Sequence, residues 1–401
     1  MKAVVLGGAG DMGRTAVRTA AAFGLLEELV VADLDEAGAQ ALATELRAEG
    51  APTLVRGARV DVTDAAGLRE FLAPFDVVLN TTGPFYRFGV PVLEAAIDAR
   101  CHYLDICDDW EPTLEMLDRD ERAKEAGVTA VIGLGASPGI SNMVAALVRR
   151  ELDEVHDLYT VWPLDVGPDG IVASVGASPD GRPSAAIVHW MHQISGTVRE
   201  VRDGRFVDQA PLQPVALDFP GVGSGTAYTV GHPEPVTLGR AGAVRGESSS
   251  LMLGTPALMG YLRQLQAEID GGKLDVEGAA ARLTDAVVAG AIAGSDAADE
   301  AGKALAGPGE LPPFFALGRG LYEGKPRTVG AMVLGAPDGM AEATSIPLAL
   351  GLRQFLQGNI GKPGVHAPED VLDPDVFFND LAPYCKPPLE GRDQLVLVTR
   401  G

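Results

Sequence analysis

Cysteine is scarce. Cys101, Cys107 and Cys385 are the only three in 401 residues, an odd number without a CxxC spacing. This excludes a disulfide scaffold and fits a reducing compartment. Basic residues are also few: 32 Lys and Arg stand against 55 Asp and Glu, a net charge of −23. A surface so negative repels phosphate backbones and anionic lipid, so neither nucleic acid nor a membrane is an expected partner. No uninterrupted apolar run approaches the ~18 residues of a spanning helix. The opening "MKAVVLGGAG" reads as a strand running into a turn, not as a signal peptide, so the expected location is the cytoplasm. What is present is 46% hydrophobic and 22% charged residues. That is a globular composition, over a length that suggests two domains.

Over the first 135 residues, short apolar runs alternate with amphipathic stretches. "KAVVLG" (2–7), "ELVVAD" (28–33), "DVVLNT" (76–81), "HYLDI" (102–106) and "TAVIGL" (129–134) read as strands. The stretches between them carry apolar residues at helical spacing. The alternation predicts an α/β fold, with a doubly wound parallel Rossmann sheet over 1–135. From 136 to 358 the rhythm becomes that of a mixed α+β domain, the part of the chain that the family resemblance given below assigns to substrate binding and dimerisation. "VRDGRF" predicts a hairpin on a primed Asp-Gly turn, and 316–336 a second one turning at Glu323–Pro326. "TAYTVGHPEPVTL" reads as a strand and "SSSLMLGTP" (248–256) as a loop entering a helix. Residues 359–401 return to the first domain, "QLVLV" (394–398) at an edge of its sheet.

"GGAGDMG" supplies a G-x-G-x-x-G at Gly8, Gly10 and Gly13, with Asp11 and Met12 inside it. Following a strand and opening a helix, it predicts a dinucleotide site: Gly8 for the turn, Gly10 for close approach of a pyrophosphate, Gly13 for helix packing. Asp33, twenty residues on at a strand end, suits the adenosine ribose hydroxyls. A carboxylate there repels a 2′-phosphate, and "ADLDEAG" offers no base, so NAD is expected over NADP. Asp61 either touches adenine or is a solvated loop acid. Asn80, Thr81, Thr82, Gly83 and Pro84, off the carboxyl end of the fourth strand, should line the pyrophosphate and nicotinamide ribose.

Hydride transfer asks the protein to place the acceptor and manage one proton. Asp105, in the acid-rich "YLDICDD", is a candidate proton handler, because neighbouring carboxylates raise each other's pKa. In "RPSAAIVHWMHQ", Arg182 suits a substrate carboxylate, and His189 and Trp190 suit the lining of a cleft. His189 and His192 lack a third ligand, so no metal is expected. His232, in "GHPEPVTL", reads as a corner facing the cleft.

In order along the chain, "GGAGDMG", "DVVLNTTGPFYRFGVPVLEAAIDARCHYLDICDD", "AKEAGVTAVIGLGASPGISNMVA", "HPEPVTL" and "GKPGVHAPEDVLDPDVFFNDL" resemble the saccharopine dehydrogenase-like family. The resemblance implies a split Rossmann domain, a homodimer and NAD(P)-dependent reduction of an imine, or oxidation of the matching secondary amine, on a small molecule. It places Ser137, Pro138 and Gly139 against the nicotinamide, puts Tyr103 and Asp105 at the mouth of the active site, and supports His232 as a catalytic residue. Saccharopine reductases carry acids and a histidine in that loop; here Gly135–Asn142 carries hydroxyls and an amide. A substrate other than saccharopine is therefore expected. The alternatives are a C=O or C=C reductase of specialised metabolism, or an NAD(H)-binding sensor or scaffold without turnover.

Overall fold

The computed structural model describes residues 1–164, 183, 185–288 and 305–401. The chain divides into two compact units. One comprises Met1–Met143 and Gly335–Leu395, the other Val144–Leu334 and Val396–Gly401.

The first unit is a seven-stranded parallel sheet with helices between its strands. Its strands are β1 (Lys2–Leu6), β2 (Glu28–Asp33), β3 (Leu54–Arg59), β4 (Val77–Asn80), β5 (His102–Asp105), β6 (Thr129–Val131) and a late strand, Gly364–His366. The late strand lies outside β6, and the order runs inward from it as β6-β5-β4-β1-β2-β3. The order reverses beside β1, whose neighbours are β2 and β4. In such sheets the crevice at the reversal, off the carboxyl ends of the strands, is where ligands bind. This is the Rossmann architecture the alternation predicts.

Local chemistry sets the helices. Asp35 and Asp64 cap their helices by accepting from Gly38 N and Gly67 N, which satisfies amides the helix cannot pair itself. The helix Asp11–Ala22 buries Gly13, Ala16, Val17, Ala20 and Ala21 on one face. The returning helix Gly339–Leu356 packs against it.

Two strands of this sheet escape the sequence pattern. β3 is a half-exposed edge whose Arg56, Gly57 and Arg59 interrupt the apolar run. Gly364–His366 is only three residues long. The return to this unit begins at Gly335 instead of 359, because Gly339–Leu356 packs on the first-unit helix.

The second unit holds a nine-stranded mixed sheet among its described residues. Its strands are β7 (Glu154–Pro163), β8 (Val198–Arg202), β9 (Arg205–Gln209), β10 (Pro214–Phe219), β11 (Gly223–Thr229), β12 (Ser248–Leu253), β13 (Phe315–Tyr322) and β14 (Lys325–Val333). With the Gly364–His366 strand numbered β15, the last strand, Val396–Arg400, is β16. The order is β10-β11-β12-β7-β13-β14-β16, with β8 pairing β12 and β9. Alternate residues feed two cores. Met252, Tyr228 and Val230 join the helices Ala185–Gln193 and Pro256–Asp270, while Leu251, Val161, Phe219 and Phe315 build the other. Both predicted hairpins form, on Asp203–Gly204 and Glu323–Gly324, each pair at positive φ.

Three expectations change in this unit. "QLVLV" does not join the Rossmann sheet: Val396–Arg400 pairs antiparallel with β14, Ala331 opposite Val398. "SSSLML" is the wholly buried β12 instead of a loop. In "HPEPVTL" the chain leaves β11 and turns into the short helix Glu234–Leu238, started by Pro233 at its cap, where a fixed φ suits a first turn.

Candidate functional site

The turn after β1 carries the features a dinucleotide needs, one residue earlier than the spacing suggests. Gly7, not Gly8, holds positive φ (+72°). A side chain on Gly7 would also crowd the Thr81 carbonyl and hydroxyl at 3.0 Å. Gly8 is required for a different reason: its Cβ would lie 2.7 Å from Val31 Cγ1. At Gly13 a Cβ would run into the Gly7 carbonyl, with Gly8 Cα at 2.6 Å, so the helix sits directly on the turn. Gly10 caps the helix in extended conformation without a side-chain bond, and the nearest atom to its Cβ position is 3.4 Å away. The first amides of Asp11–Ala22 thus open onto an uncovered glycine. This is the arrangement that accepts an anionic pyrophosphate. Asp11 is exposed, and Met12 Sδ takes a contact from Ser345 Oγ at 3.7 Å.

Asp33 ends β2 and ties itself to the same turn. Its Oδ2 accepts from Ala9 N and its Oδ1 from Asp35 N, both at 3.0 Å. The surrounding "ADLDEAG" carries no base. The sheet supplies one: the exposed Arg59 stands opposite Asp33 at the end of β3. Asp61 follows in the next loop, where Thr63 donates to it from N (2.9 Å) and Oγ1 (2.6 Å), which lowers its pKa.

At the end of β4, Thr81 donates from N and Oγ1 to the Leu6 carbonyl. The hydroxyl of Thr82 is buried without a hydrogen-bond partner. An orphaned hydroxyl is costly unless a ligand satisfies it. Gly83 and Pro84 follow through a cis peptide bond, and nothing lies within 4 Å of a Gly83 Cβ. The uncovered Gly10, the open Gly83 and the orphaned Thr82 hydroxyl all fit a dinucleotide laid across this edge.

The loop after β6 is tightly wound. Gly135 N donates to the Pro138 carbonyl (2.8 Å) and Ile140 N to that of Gly135 (2.9 Å). Ser137–Pro138 is cis, and Gly139 has φ +121°. Asn142 closes the turn, its Oδ1 accepting from Gly139 N at 2.9 Å and its Nδ2 donating to Glu369 Oε2 at 2.8 Å. Of the three residues that stand where the resemblance expects charged ones, Ser141 and Asn142 are buried and Ser137 is half-buried.

Asp105 and Tyr103 do not stand at a mouth. Both are 0% exposed. Tyr103 donates to Asp105 Oδ2 at 2.7 Å, while Asp105 Oδ1 accepts from Gly133 N (2.7 Å) and Cys107 N (3.0 Å). Burial pushes Asp105 up to about 6 and Tyr103 well above the ordinary phenol range. The expectation that they exchange a proton with substrate gives way to an internal role, because every oxygen is engaged and none meets solvent.

In the second unit, His232 is buried at the end of β11. Its Nε2 lies 3.2 Å from Gln193 Oε1, its Nδ1 lies 3.6 Å from Glu234 Oε2, and its ring lies 5.1 Å from that of Trp162. Trp190, half-buried one helical turn before Gln193, has a buried indole N–H without a partner. His189 precedes it, also half-buried. Arg182 lies outside the described residues. The sequence points to His232 with Glu234 beside it, and to His189 and Trp190, but not to Gln193 or Trp162, which meet His232 only once the second unit folds.

Comparison with known proteins matches this picture. Residues 3–131 match the family model described as the saccharopine dehydrogenase NADP-binding domain. The chain is 22% identical to carboxyaminopropylagmatine dehydrogenase of Synechocystis, over 95% of both chains. The chain is saccharopine dehydrogenase-like. This saccharopine dehydrogenase-like protein is also 25% identical to carboxynorspermidine synthase of Vibrio alginolyticus, over 43% of this chain and 42% of that one. Its fold matches saccharopine dehydrogenase (L-Glu forming) from Saccharomyces cerevisiae, with a TM-score of 0.58 at 16% identity over 100% and 99% of the chains. It is an NAD(P)-dependent oxidoreductase. No helix among the described residues is long and apolar enough to cross a membrane.

Proposed function

We propose that this oxidoreductase uses NAD and reduces a C=N bond, or oxidises the matching secondary amine, on a small metabolite other than saccharopine. The observation that carries the reading is the end-to-end match to a carboxyaminopropylagmatine dehydrogenase, joined to a Rossmann turn with a carboxylate at the end of β2. When bound, NADH supplies a hydride to the imine carbon, and the nitrogen takes one proton. This chain's residues do the rest. The helix Asp11–Ala22 and the uncovered Gly10 receive the pyrophosphate, Asp33 the adenosine ribose, and the Thr82 hydroxyl the nicotinamide-side ribose.

The loop at Ser137–Gly139 is the expected neighbour of the nicotinamide. The loop lacks the acids and histidine of saccharopine reductases, and the amide in place of that histidine, Asn142, is spent on holding the loop through Gly139 and Glu369. That supports a substrate without the ammonium group such acids would hold. With Asp105 and Tyr103 sealed, His232 is the proton-handling candidate among the residues named from sequence.

A second reading is NADP, favoured by Arg59 beside Asp33. The test of the main reading is loss of NADH absorbance with a panel of amines paired with 2-oxo acids or aldehydes. Turnover that requires both amine and carbonyl supports it. Turnover of a ketone or enone with no amine present would replace it with the C=O or C=C alternative.

A further inference from the structure

Polar groups at the carboxyl ends of β4, β5 and β6, side chains from the first two and a backbone amide after the third, form a single line. Thr82 N donates to Asn80 Oδ1 at 3.0 Å. Asn80 Nδ2 donates to Tyr103 Oη at 3.1 Å, and Tyr103 Oη donates to Asp105 Oδ2 at 2.7 Å. Asp105 Oδ1 then accepts from Gly133 N at 2.7 Å. Asn80, Tyr103 and Asp105 are all fully buried. The line begins in the loop 81–84 and ends where the loop 133–139 begins, so it joins two loops that Rossmann geometry and family likeness place along the nicotinamide half of the cofactor.

Its direction is fixed by hydrogen count. A tyrosine hydroxyl has one hydrogen to give. Asn80 spends its oxygen on Thr82 N, so it turns its amide hydrogens to Tyr103. Tyr103 must then donate onward, and Asp105 must accept. A protonated or amidated Asp105 would present a donor at Oδ2 to a hydroxyl already receiving Asn80. The tyrosine hydrogen would be left buried without an acceptor, a costly state.

We propose that Asp105 is a positioning residue for cofactor binding. Its ionised carboxylate sets the Gly133 loop directly, and the Thr82 loop through Tyr103 and Asn80. The proposal rests on the reading of the first unit as the NAD(P) site. The titratable groups facing Asp105 are Tyr103 on its own strand and Cys107 and Asp108 in the loop after it; β4 offers the neutral Asn80, and residue 133 offers backbone. Burial first, with the Asp108 charge adding to it, places the Asp105 carboxyl at about 6. The line is therefore intact at neutral pH and lost in mild acid.

The test is the NADH dissociation constant between pH 5 and 8.5, by fluorescence, for the wild type, Asp105→Asn and Tyr103→Phe. The same variants are titrated with ADP, which reaches only the Gly-rich turn and Asp33. The wild type should weaken about tenfold toward pH 5, with a midpoint near 6. Asp105→Asn should be about tenfold weaker at pH 7.5 and lack that midpoint, because it imitates the protonated acid. Tyr103→Phe should weaken severalfold, and ADP affinity should be unchanged in both. NADH affinity within twofold of wild type in a folded Asp105→Asn would overturn the proposal, as would equal losses for NADH and ADP. If Asp105→Asn does not fold, unaltered NADH affinity in Tyr103→Phe overturns it instead. A wild type that binds neither NADH nor NADPH would overturn the cofactor reading itself, a distinct result.

Discussion

Asn142 Nδ2 donates to Glu369 Oε2 over 2.8 Å, joining residues 227 apart in sequence. The same side chain accepts from Gly139 N. Asn142 is fully buried, so Asn142→Ala removes both bonds and strands the Gly139 amide. The expected cost is about 2 kcal/mol of stability, read as a melting temperature lower by several degrees, with weaker NADH binding. A melting temperature equal to wild type would show that the loop is held by other contacts.

Two glycines of the β1 turn should separate folding from binding. A methyl at Gly13 meets Gly7 and Gly8 backbone, whereas a methyl at Gly10 meets nothing closer than 3.4 Å. Gly13→Ala should therefore cost roughly 1–3 kcal/mol, as over-packing does. Gly10→Ala should melt like wild type yet bind NADH at least tenfold more weakly, because its methyl occupies the approach of the pyrophosphate. Calorimetry and fluorescence titration on the two variants check this. Undiminished NADH binding by Gly10→Ala would place the pyrophosphate elsewhere.

The second unit carries a pH signature of its own. Glu200, on β8, is 1% exposed, and burial pushes its carboxyl up to about 7 against the counteracting Arg202. A carboxyl raised in the folded state binds its proton more tightly there than in the unfolded chain. Stability is then greatest below the unfolded pKa near 4.5 and falls as pH rises toward 7, by ~3 kcal/mol from this group. Glu200→Gln should flatten that part of the profile and leave the protein more stable at pH 8. Parallel stability–pH curves for the two proteins would contradict the assignment.

How much of this was legible depended on whether the signal was local. "KAVVLG" and "ELVVAD" announce buried parallel strands because both faces are apolar, and Asp33 is found by counting from Gly13. β12 is equally buried, but its Ser248–Ser250 run hides it. The destination of Val396–Arg400 lies in β14 and nowhere in its own residues. The positive φ of Gly7 instead of Gly8 depends on where β1 stops, which a motif of adjacent glycines does not specify. Asp105 shows the limit most clearly. A carboxylate at a strand end reads the same whether it faces substrate or a loop amide, and the deciding partner, Gly133, comes from the next strand's turn.

The proposed selection of NAD at the Asp33 end of the Rossmann sheet is tested most directly by titrating NADH and NADPH side by side. NADH is expected to bind at least tenfold tighter, as a carboxylate that holds ribose hydroxyls and repels a 2′-phosphate requires. Asp33→Ala is expected to abolish the difference, mainly by weakening NADH. Tighter binding of NADPH by the wild type would contradict it and transfer the deciding role to Arg59.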